Sequence, residues 1–151
     1  ANQYLILRAG WMMGGGPKKD KKFVNKIYKQ IIENKKILNV VNDKLGTPTY
    51  TIDFAKNTKL LLEKKIWGKY NLVCEGESSR FDVAKEILKI LKKTHEIELK
   101  EVDSSFFSKE YFSKRPRSER LINRKLNLRN LNIMRDWKTC LREYLEHKFI
   151  N

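Results

Sequence analysis

Cysteine is scarce in this chain, and long hydrophobic runs are absent. The two cysteines, Cys74 and Cys140, can form at most one disulfide bond. The longest apolar runs, at residues 4–7 and 60–62, fall far below the roughly 18 residues of a membrane span. The first apolar run leads into Arg8 and a glycine turn instead of a cleavage site, so no signal peptide is visible. We therefore expect reduced thiols, no membrane partner and a cytoplasmic location.

The usual catalytic and metal-binding signatures are missing as well. Residues 14–16 are three glycines, but the third spaced glycine of a dinucleotide-binding loop is absent. No phosphate-loop lysine, HExxH motif or paired CxxC is present, and we expect no metal site. His95 and His147 neighbour charged residues and are expected at the surface. Tyr144 and Lys148 have the spacing of a Tyr-x-x-x-Lys catalytic pair, but Tyr144 lies on an apolar helix face, so the match is interpreted as coincidence.

Positive charge, in contrast, is abundant. Lys and Arg number 33 against 18 Asp and Glu, which gives a formal charge of +15. Such a field attracts polyanions, so a nucleic-acid partner has to be considered. The lysines are scattered over the polar faces of predicted helices, however, which favours a solvated basic surface. With 40% hydrophobic residues the chain is too apolar for a disordered polycation, and its 151 residues suit one domain.

Predicted strands and helices alternate along the chain. Residues 4–7 are predicted to form a strand buried on both faces. Thr51 is predicted to cap a helix, and Ser79-Arg-Phe-Asp82 has the form of a capping box. The other predicted strands are residues 37–41, 68–73 and 97–102, and the predicted helices are 22–34, 51–64, the one that the capping box opens, and one that begins at Asp136; residues 103–120 are predicted to be irregular. This alternation predicts an α/β fold with mainly parallel strand pairing.

Three segments are candidates for binding. Residues 8–14 follow the first strand, where open α/β sheets bind ligands, and Trp11 there is equally suited to stack on a sugar ring or to cover the core. Residues 46–50 form a predicted polar turn before a helix, which suits an anion, although ordinary turns use the same residues. Residues 114–117 place arginines around a proline, which suits phosphate contacts but also describes a solvated basic loop.

Taken in order, these segments resemble the carboxyl-terminal half of the dTDP-4-dehydrorhamnose reductase family, which belongs to the extended short-chain dehydrogenase/reductase superfamily. Tyr4-Leu-Ile-Leu-Arg-Ala-Gly-Trp-Met-Met-Gly14 is similar to the family's Tyr-Leu-Ile-Val-Arg-Thr-Ser-Trp-Val-Tyr-Gly segment. Asn42-Asp-Lys-Leu-Gly-Thr-Pro-Thr-Tyr50 is similar to its Asp-Asp-Gln-x-Gly-x-Pro-Thr-Tyr segment. Further matches are Gly68-Lys-Tyr-Asn-Leu72, Lys114-Arg-Pro116 and Arg135-Asp-Trp137. The chain departs from the family pattern at Met13, where the family has Tyr, and at Lys44, where it has Gln.

The resemblance implies the carboxyl-terminal part of a Rossmann-like fold, with the smaller mixed α/β substrate-binding domain of the superfamily. Residues 1–151 would form the substrate-binding half, and the NAD(P)-binding half and all catalytic residues would lie outside this chain. In the family, NADPH or NADH delivers hydride to the 4-keto group of dTDP-4-dehydro-6-deoxy-L-mannose, a step in the synthesis of cell-surface polysaccharide precursors. By itself this chain would be inactive.

The resemblance also implies roles for individual residues. Trp11 would pack against the hexose of a dTDP-linked deoxyhexose, and Arg115 with Arg117 would neutralise its pyrophosphate. The implied substrate-binding residues are Trp11, Met13, Gly46, Thr47, Thr49, Arg115 and Arg117, and the implied cofactor-binding residues are Ala9, Gly10 and Met12.

Other functions stay open on the sequence. A related sugar-nucleotide epimerase or dehydratase would share the fold, as would a non-catalytic regulatory protein. A basic nucleic-acid-binding domain is less favoured, because the chain has the charge but no recognised module. We also expect either a homodimer sealed along the flank of the first strand or local disorder near residues 1–20.

Overall fold

The computed structural model describes residues 3–109 and 116–150. Strands and helices alternate through most of this part of the chain. The strands are β1 (Leu5–Arg8), β2 (Trp11–Met13), β3 (Ile37–Val41), β4 (Leu45–Gly46), β5 (Pro48–Tyr50), β6 (Gly68–Asn71), β7 (Ser78–Ser79), β8 (Glu98–Val102) and β9 (Ser118–Glu119). The helices are α1 (Phe23–Ile32), α2 (Thr51–Glu63), α3 (Arg80–Ile90), α4 (Arg124–Leu128) and α5 (Trp137–Leu145), with a 3₁₀ turn at Ser104–Phe107 and a π-helical turn at Glu146–Ile150.

The strands pair in several small sheets. Strand β1 pairs with β6, β2 with β5 and β3 with β8, all in parallel register. A three-stranded sheet has the order β7-β4-β9, in which β4 is antiparallel to β7 and parallel to β9. The α/β class and the mainly parallel pairing that the alternation predicts are therefore confirmed. Within the described residues, no helix has the length and apolar character needed to span a membrane.

Helices α1, α3 and α5 pack apolar faces into one core. Ser79 accepts a hydrogen bond from the Asp82 N–H at 3.0 Å, while the Asp82 carboxylate accepts one from the Ser79 N–H at 2.7 Å. Together they complete the predicted capping box at the start of α3. Asp136 caps α5 by accepting from the N–H groups of the two residues that follow Trp137. The apolar side chains that this helix buries include Trp137, Cys140, Leu141 and Tyr144.

The predictions made for the burial of β1 and for the cap of α2 are wrong. Strand β1 is not buried on both faces, because Leu5 and Leu7 pack against the core while Ile6 points outward and is 46% exposed. Its pairing with β6 leaves the other edge of the strand open among the described residues. Thr51 does not cap α2 either: it is the first helical residue, and Tyr50 occupies the cap position without a side-chain hydrogen bond.

A buried ion pair joins α2 to the segment that leads into α5. The carboxylate of Asp53, 2% exposed, accepts hydrogen bonds from Nε and Nη2 of Arg135 at 2.8 and 2.7 Å. The Cys140 thiol donates to the same carboxylate at 3.3 Å, and Arg135 Nη1 donates to Glu143 at 2.6 Å. Burial by itself would raise the pKa of Asp53, but the hydrogen bonds from Arg135 and Cys140 outweigh it and lower that pKa below its ordinary value.

We predict that Asp53→Asn lowers the free energy of unfolding by about 1–3 kcal/mol, because it removes the charge of a buried carboxylate whose partner Arg135 is 38% exposed. Urea denaturation monitored by circular dichroism measures the change. The matched control is Glu63→Gln on the same helix, where the ion pair with Lys59 is exposed, and there we expect about 0.5 kcal/mol or less. Equal losses in the two variants would contradict the assigned importance of the Asp53 pair.

The same pair sets an acid dependence of stability. Since the folded state holds the Asp53 pKa below its unfolded value of about 3.9, the stabilisation is present above that pH and is lost as the pH falls further. We expect stability to decline below about pH 4 in the wild type and less steeply in Asp53→Asn. Parallel curves of unfolding free energy against pH for the two proteins would refute this assignment.

The open edge and exposed face of β1 give a prediction about assembly. We expect the chain to dimerise along this flank or to be locally disordered near residues 1–20, because an unpaired edge with exposed apolar side chains is a template for pairing. If the chain dimerises, Ile6→Lys should dissociate the dimer in light scattering, whereas Leu128→Lys, at a residue that is 76% exposed on α4, should leave it intact. A monomer with a well-ordered amino terminus would contradict the prediction.

Candidate functional site

The candidate site centres on the indole ring of Trp11, which is half-buried just beyond the carboxyl end of β1. Its Nε1–H donates a hydrogen bond to Glu119 Oε2 at 2.9 Å. The guanidinium carbon of Arg80, the first residue of α3, lies 4.7 Å from the ring centroid, within cation–π range. The ring is therefore flanked by one negative and one positive side chain from distant parts of the sequence.

Two glycines allow this arrangement by giving close backbone approach. A Cβ on Gly46 would lie 2.2 Å from Cε2 of the Trp11 ring, so the indole packs directly on the glycine backbone. A Cβ on Gly10 would lie 2.1 Å from the Thr47 carbonyl oxygen. That carbonyl accepts the Trp11 N–H at 2.9 Å, next to the β2–β5 pairing in which Trp11 is opposite Pro48. Side chains at either glycine would push Trp11 out of place.

The two predicted threonines lie beneath the site with both hydroxyls engaged within the chain. Thr49 Oγ1 accepts the Gly10 N–H at 3.1 Å. Thr47 Oγ1 accepts the Leu121 N–H at 3.1 Å and donates to the Leu121 carbonyl at 3.3 Å. Both residues are almost fully buried. The polar turn predicted at residues 46–50 is wrong, since strands β4 and β5 run through this segment and use its backbone for pairing.

Of the three predicted cofactor residues, Gly10 lies against the Thr47 backbone and only Met12 lines a cleft. Ala9 is exposed, and Met12 lines a cleft of about 170 Å³ with Gly14, Thr51 and the segment Lys19, Asp20, Lys21 and Lys22. Three lysines make this cleft basic, and Thr51 is the first residue of α2. Met13, in contrast, is 3% exposed and packs in the hydrophobic core.

Tyr144 of the Tyr-x-x-x-Lys match is a structural residue. Its hydroxyl donates to the Asp20 carboxylate at 2.8 Å and accepts the Gly16 N–H at 3.1 Å. Burial, reinforced by Asp20, raises its pKa well above the ordinary value. A buried tyrosine with both hydrogen-bonding positions occupied and a raised pKa is unsuited to proton transfer, which agrees with the interpretation of the match as coincidence. His95 and His147 are exposed, as predicted.

A second cleft, of about 240 Å³, lies beyond the carboxyl end of β6. It is lined by residues 73–77 and 120–123. The Asn123 side chain donates to the Val73 carbonyl at 2.7 Å and accepts the Val73 N–H at 3.0 Å, as a neighbouring strand would. Arg120 pairs with Glu77 at 2.6 Å, where both side chains are largely exposed. Among the described residues, no group of three or more potential metal ligands comes together.

The predicted arginines fall in different situations. Arg115 lies outside the described residues. Arg117 is exposed, and its carbonyl accepts the Leu45 N–H at 3.0 Å, which anchors the chain where it enters β9. Sequence reasoning missed Arg80 and Glu119: Arg80 sits inside the capping box, and Glu119 lies in a stretch predicted to be irregular. Only the long-range pairing of β9 with β4 brings Glu119 to Trp11.

Comparisons with known proteins identify the family and the fold. Residues 1–149 match the family model described as the RmlD substrate binding domain. The chain is 31% identical over 144 residues to the spore coat polysaccharide biosynthesis protein SpsK of Bacillus subtilis, covering 95% of this chain and 47% of that protein. The chain thus spans about half the length of this curated relative.

Solved structures show the same fold. The dTDP-4-dehydrorhamnose reductase from Yersinia enterocolitica is 33% identical, with a TM-score of 0.85 over 94% of this chain and 48% of that chain. The dTDP-4-dehydrorhamnose reductase from Bacillus anthracis, solved in complex with NADP, is 24% identical, with a TM-score of 0.85 over 97% and 49%. The fold is accordingly that of the Rossmann-like extended short-chain dehydrogenases, and the chain belongs to the RmlD substrate-binding domain family.

Proposed function

We propose that this chain is the sugar-nucleotide-binding half of an NAD(P)H-dependent dTDP-4-dehydrorhamnose reductase. The observation that carries the proposal is the Trp11 site, where an indole ring lies between a carboxylate and a guanidinium at the carboxyl end of a parallel strand. Because the Gly46 backbone covers one face of the indole and Arg80 lies over the other, a hexose would pack against the exposed edge of the ring, where the charged groups can make hydrogen bonds to its substituents. Membership of the RmlD substrate-binding domain family supports the same function.

In this proposal the residues have distinct roles. Trp11 packs against the hexose, and Gly46 supports the ring directly. Thr47 and Thr49 support it indirectly, because their hydroxyls bond the neighbouring backbone at Leu121 and Gly10. Arg115 and Arg117 neutralise the pyrophosphate, for which the forked guanidinium group is well suited. Met13 stabilises β2 through the core, so that the ring and the neighbouring Met12 keep their positions.

The basic cleft beside Met12 fits a nicotinamide cofactor in its chemistry. It combines the apolar side chain of Met12 with three lysines and one carboxylate, that of Asp20; the methionine suits a planar ring, and the excess of lysines suits an anionic group. Ala9, Gly10 and Met12 would border the nicotinamide, and NADPH or NADH, when bound, would supply the hydride for the 4-keto carbon. The complex of the Bacillus anthracis reductase with NADP supports this class of cofactor. The contribution of this chain is positioning of the sugar, which lowers the barrier when the reacting geometry is strict.

We predict saturable binding of dTDP and dTDP-rhamnose to this chain by calorimetry, with a change in tryptophan fluorescence. Trp11→Ala should weaken dTDP-rhamnose binding by about tenfold or more, because a ring of this size is a typical main contributor to affinity. Trp11→Phe, which keeps an aromatic ring, should lose less. UDP and DNA serve as ligand controls, and steeply salt-dependent DNA binding without any response to the nucleotide sugar would contradict the proposal.

We further predict that Arg115→Ala weakens dTDP and dTDP-rhamnose equally, by about tenfold or more, because both ligands carry the pyrophosphate. Isothermal titration of both ligands measures the effect. Arg124→Ala removes the same charge from an exposed position at the start of α4 and should leave both affinities within about twofold. Unchanged binding in Arg115→Ala would remove this residue from the pyrophosphate site.

A further inference from the structure

Glu119 is fixed beside the ring of Trp11 by strand pairing. In the β4–β9 ladder it lies opposite Gly46, the residue on which the indole packs. From that position its Oε2 accepts the indole N–H at 2.9 Å. An indole has a single donor, so this bond defines where the edge of the ring lies. Glu119 is 108 positions away from Trp11 in the sequence, and the contact therefore depends on the tertiary fold.

The second oxygen of the same carboxylate remains available. Within residues 3–109 and 116–150, no side chain or backbone group donates a hydrogen bond to Glu119 Oε1. Glu119 is half-buried, so this oxygen is at the edge of the site and is not sealed in the core. An ionised carboxylate accepts hydrogen bonds more strongly than a neutral group does. Among the described residues, Oε1 is thus an acceptor without a donor, beside an aromatic ring.

The same row of the small sheet contains a second unused polar group. Gly46 on the central strand β4 is opposite Ser78 on β7 and opposite Glu119 on β9. Residues directly opposite one another in a sheet point to the same face, and on this row that is the face covered by Trp11. The Ser78 hydroxyl is buried and makes no hydrogen bond to the described residues. An unpaired buried hydroxyl costs stability and calls for an explanation such as a ligand contact.

We propose that Glu119 determines which sugar the site accepts. Through Oε2 it positions Trp11, and through Oε1 it accepts a hydrogen bond from a hydroxyl of the hexose that packs against the edge of the indole. A sugar hydroxyl can donate a hydrogen bond to this carboxylate. A sugar that lacks the hydroxyl would leave Oε1 without that bond and would bind more weakly. This inference rests on the proposed nucleotide-sugar function, because it assigns the hexose part of that ligand to Glu119.

The test compares Glu119→Gln with the wild-type chain by calorimetric titration of dTDP-rhamnose and dTDP. We expect dTDP-rhamnose binding to weaken roughly tenfold or more, the usual effect of losing a hydrogen bond to a charged group, while dTDP binding stays within about twofold. Glu63→Gln, which makes the same charge change on an exposed turn at the end of α2, is the control. Equal weakening of both ligands, or no weakening of either, would overturn the assignment to the sugar.

A second measurement tests the contact with Trp11 without any ligand. In a ¹H–¹⁵N spectrum, the indole resonance of Trp11 should move in Glu119→Ala, while those of Trp67 and Trp137 stay in place and show that the fold is kept. An unmoved Trp11 resonance would overturn the positioning part of the inference. If the wild-type chain binds neither dTDP nor dTDP-rhamnose, the proposed function is contradicted as well. If the wild-type chain binds both ligands and the Glu119 variants behave like it, only the role of Glu119 is contradicted.

Discussion

The ion pair between Asp53 and Arg135 is the constraint on which the arrangement of this fold depends. A carboxylate buried at the start of α2 would be costly alone, and a forked guanidinium from a residue 82 positions later compensates it through two hydrogen bonds. The pair fixes α2 against the segment that precedes α5. Because α2 directly follows β5, and β5 pairs with β2, the same constraint helps to hold Trp11 at its place in the site.

The site is built by backbone contacts more than by side chains. Gly10 and Gly46 have no side chain where the Thr47 carbonyl and the Trp11 ring approach, and the buried threonine hydroxyls join strands and loops instead of facing solvent. Closely packed backbone of this kind is rigid, which favours a precise position for the Trp11 ring. The two charged side chains at the ring come from other elements: Arg80 from α3 and Glu119 from β9.

The sequence predicts the longer elements well, because they contain enough residues to show a period and a cap. The capping box at Ser79 and the cap at Asp136 are both observed. Strands of two or three residues, such as β4 and β9, show no period and were missed. The importance of Trp11 can be predicted from the motif resemblance. Its contact with Glu119 cannot, because it arises from strand pairing across 108 positions and no local sequence pattern indicates it. The outward face of β1 was also missed, since a four-residue apolar run does not show which side chains meet the core.

The hydroxyl of Tyr144 on α5 holds the loop at residues 16–20 in place. Its single hydroxyl contacts Gly16 and Asp20, in the loop that borders the basic cleft, from the last α-helix. Asp20 in turn accepts the Lys22 N–H, at the residue that precedes α1. Loss of the Tyr144 hydroxyl would therefore release a loop more than 120 positions away, so the shape of the cleft is maintained by α5.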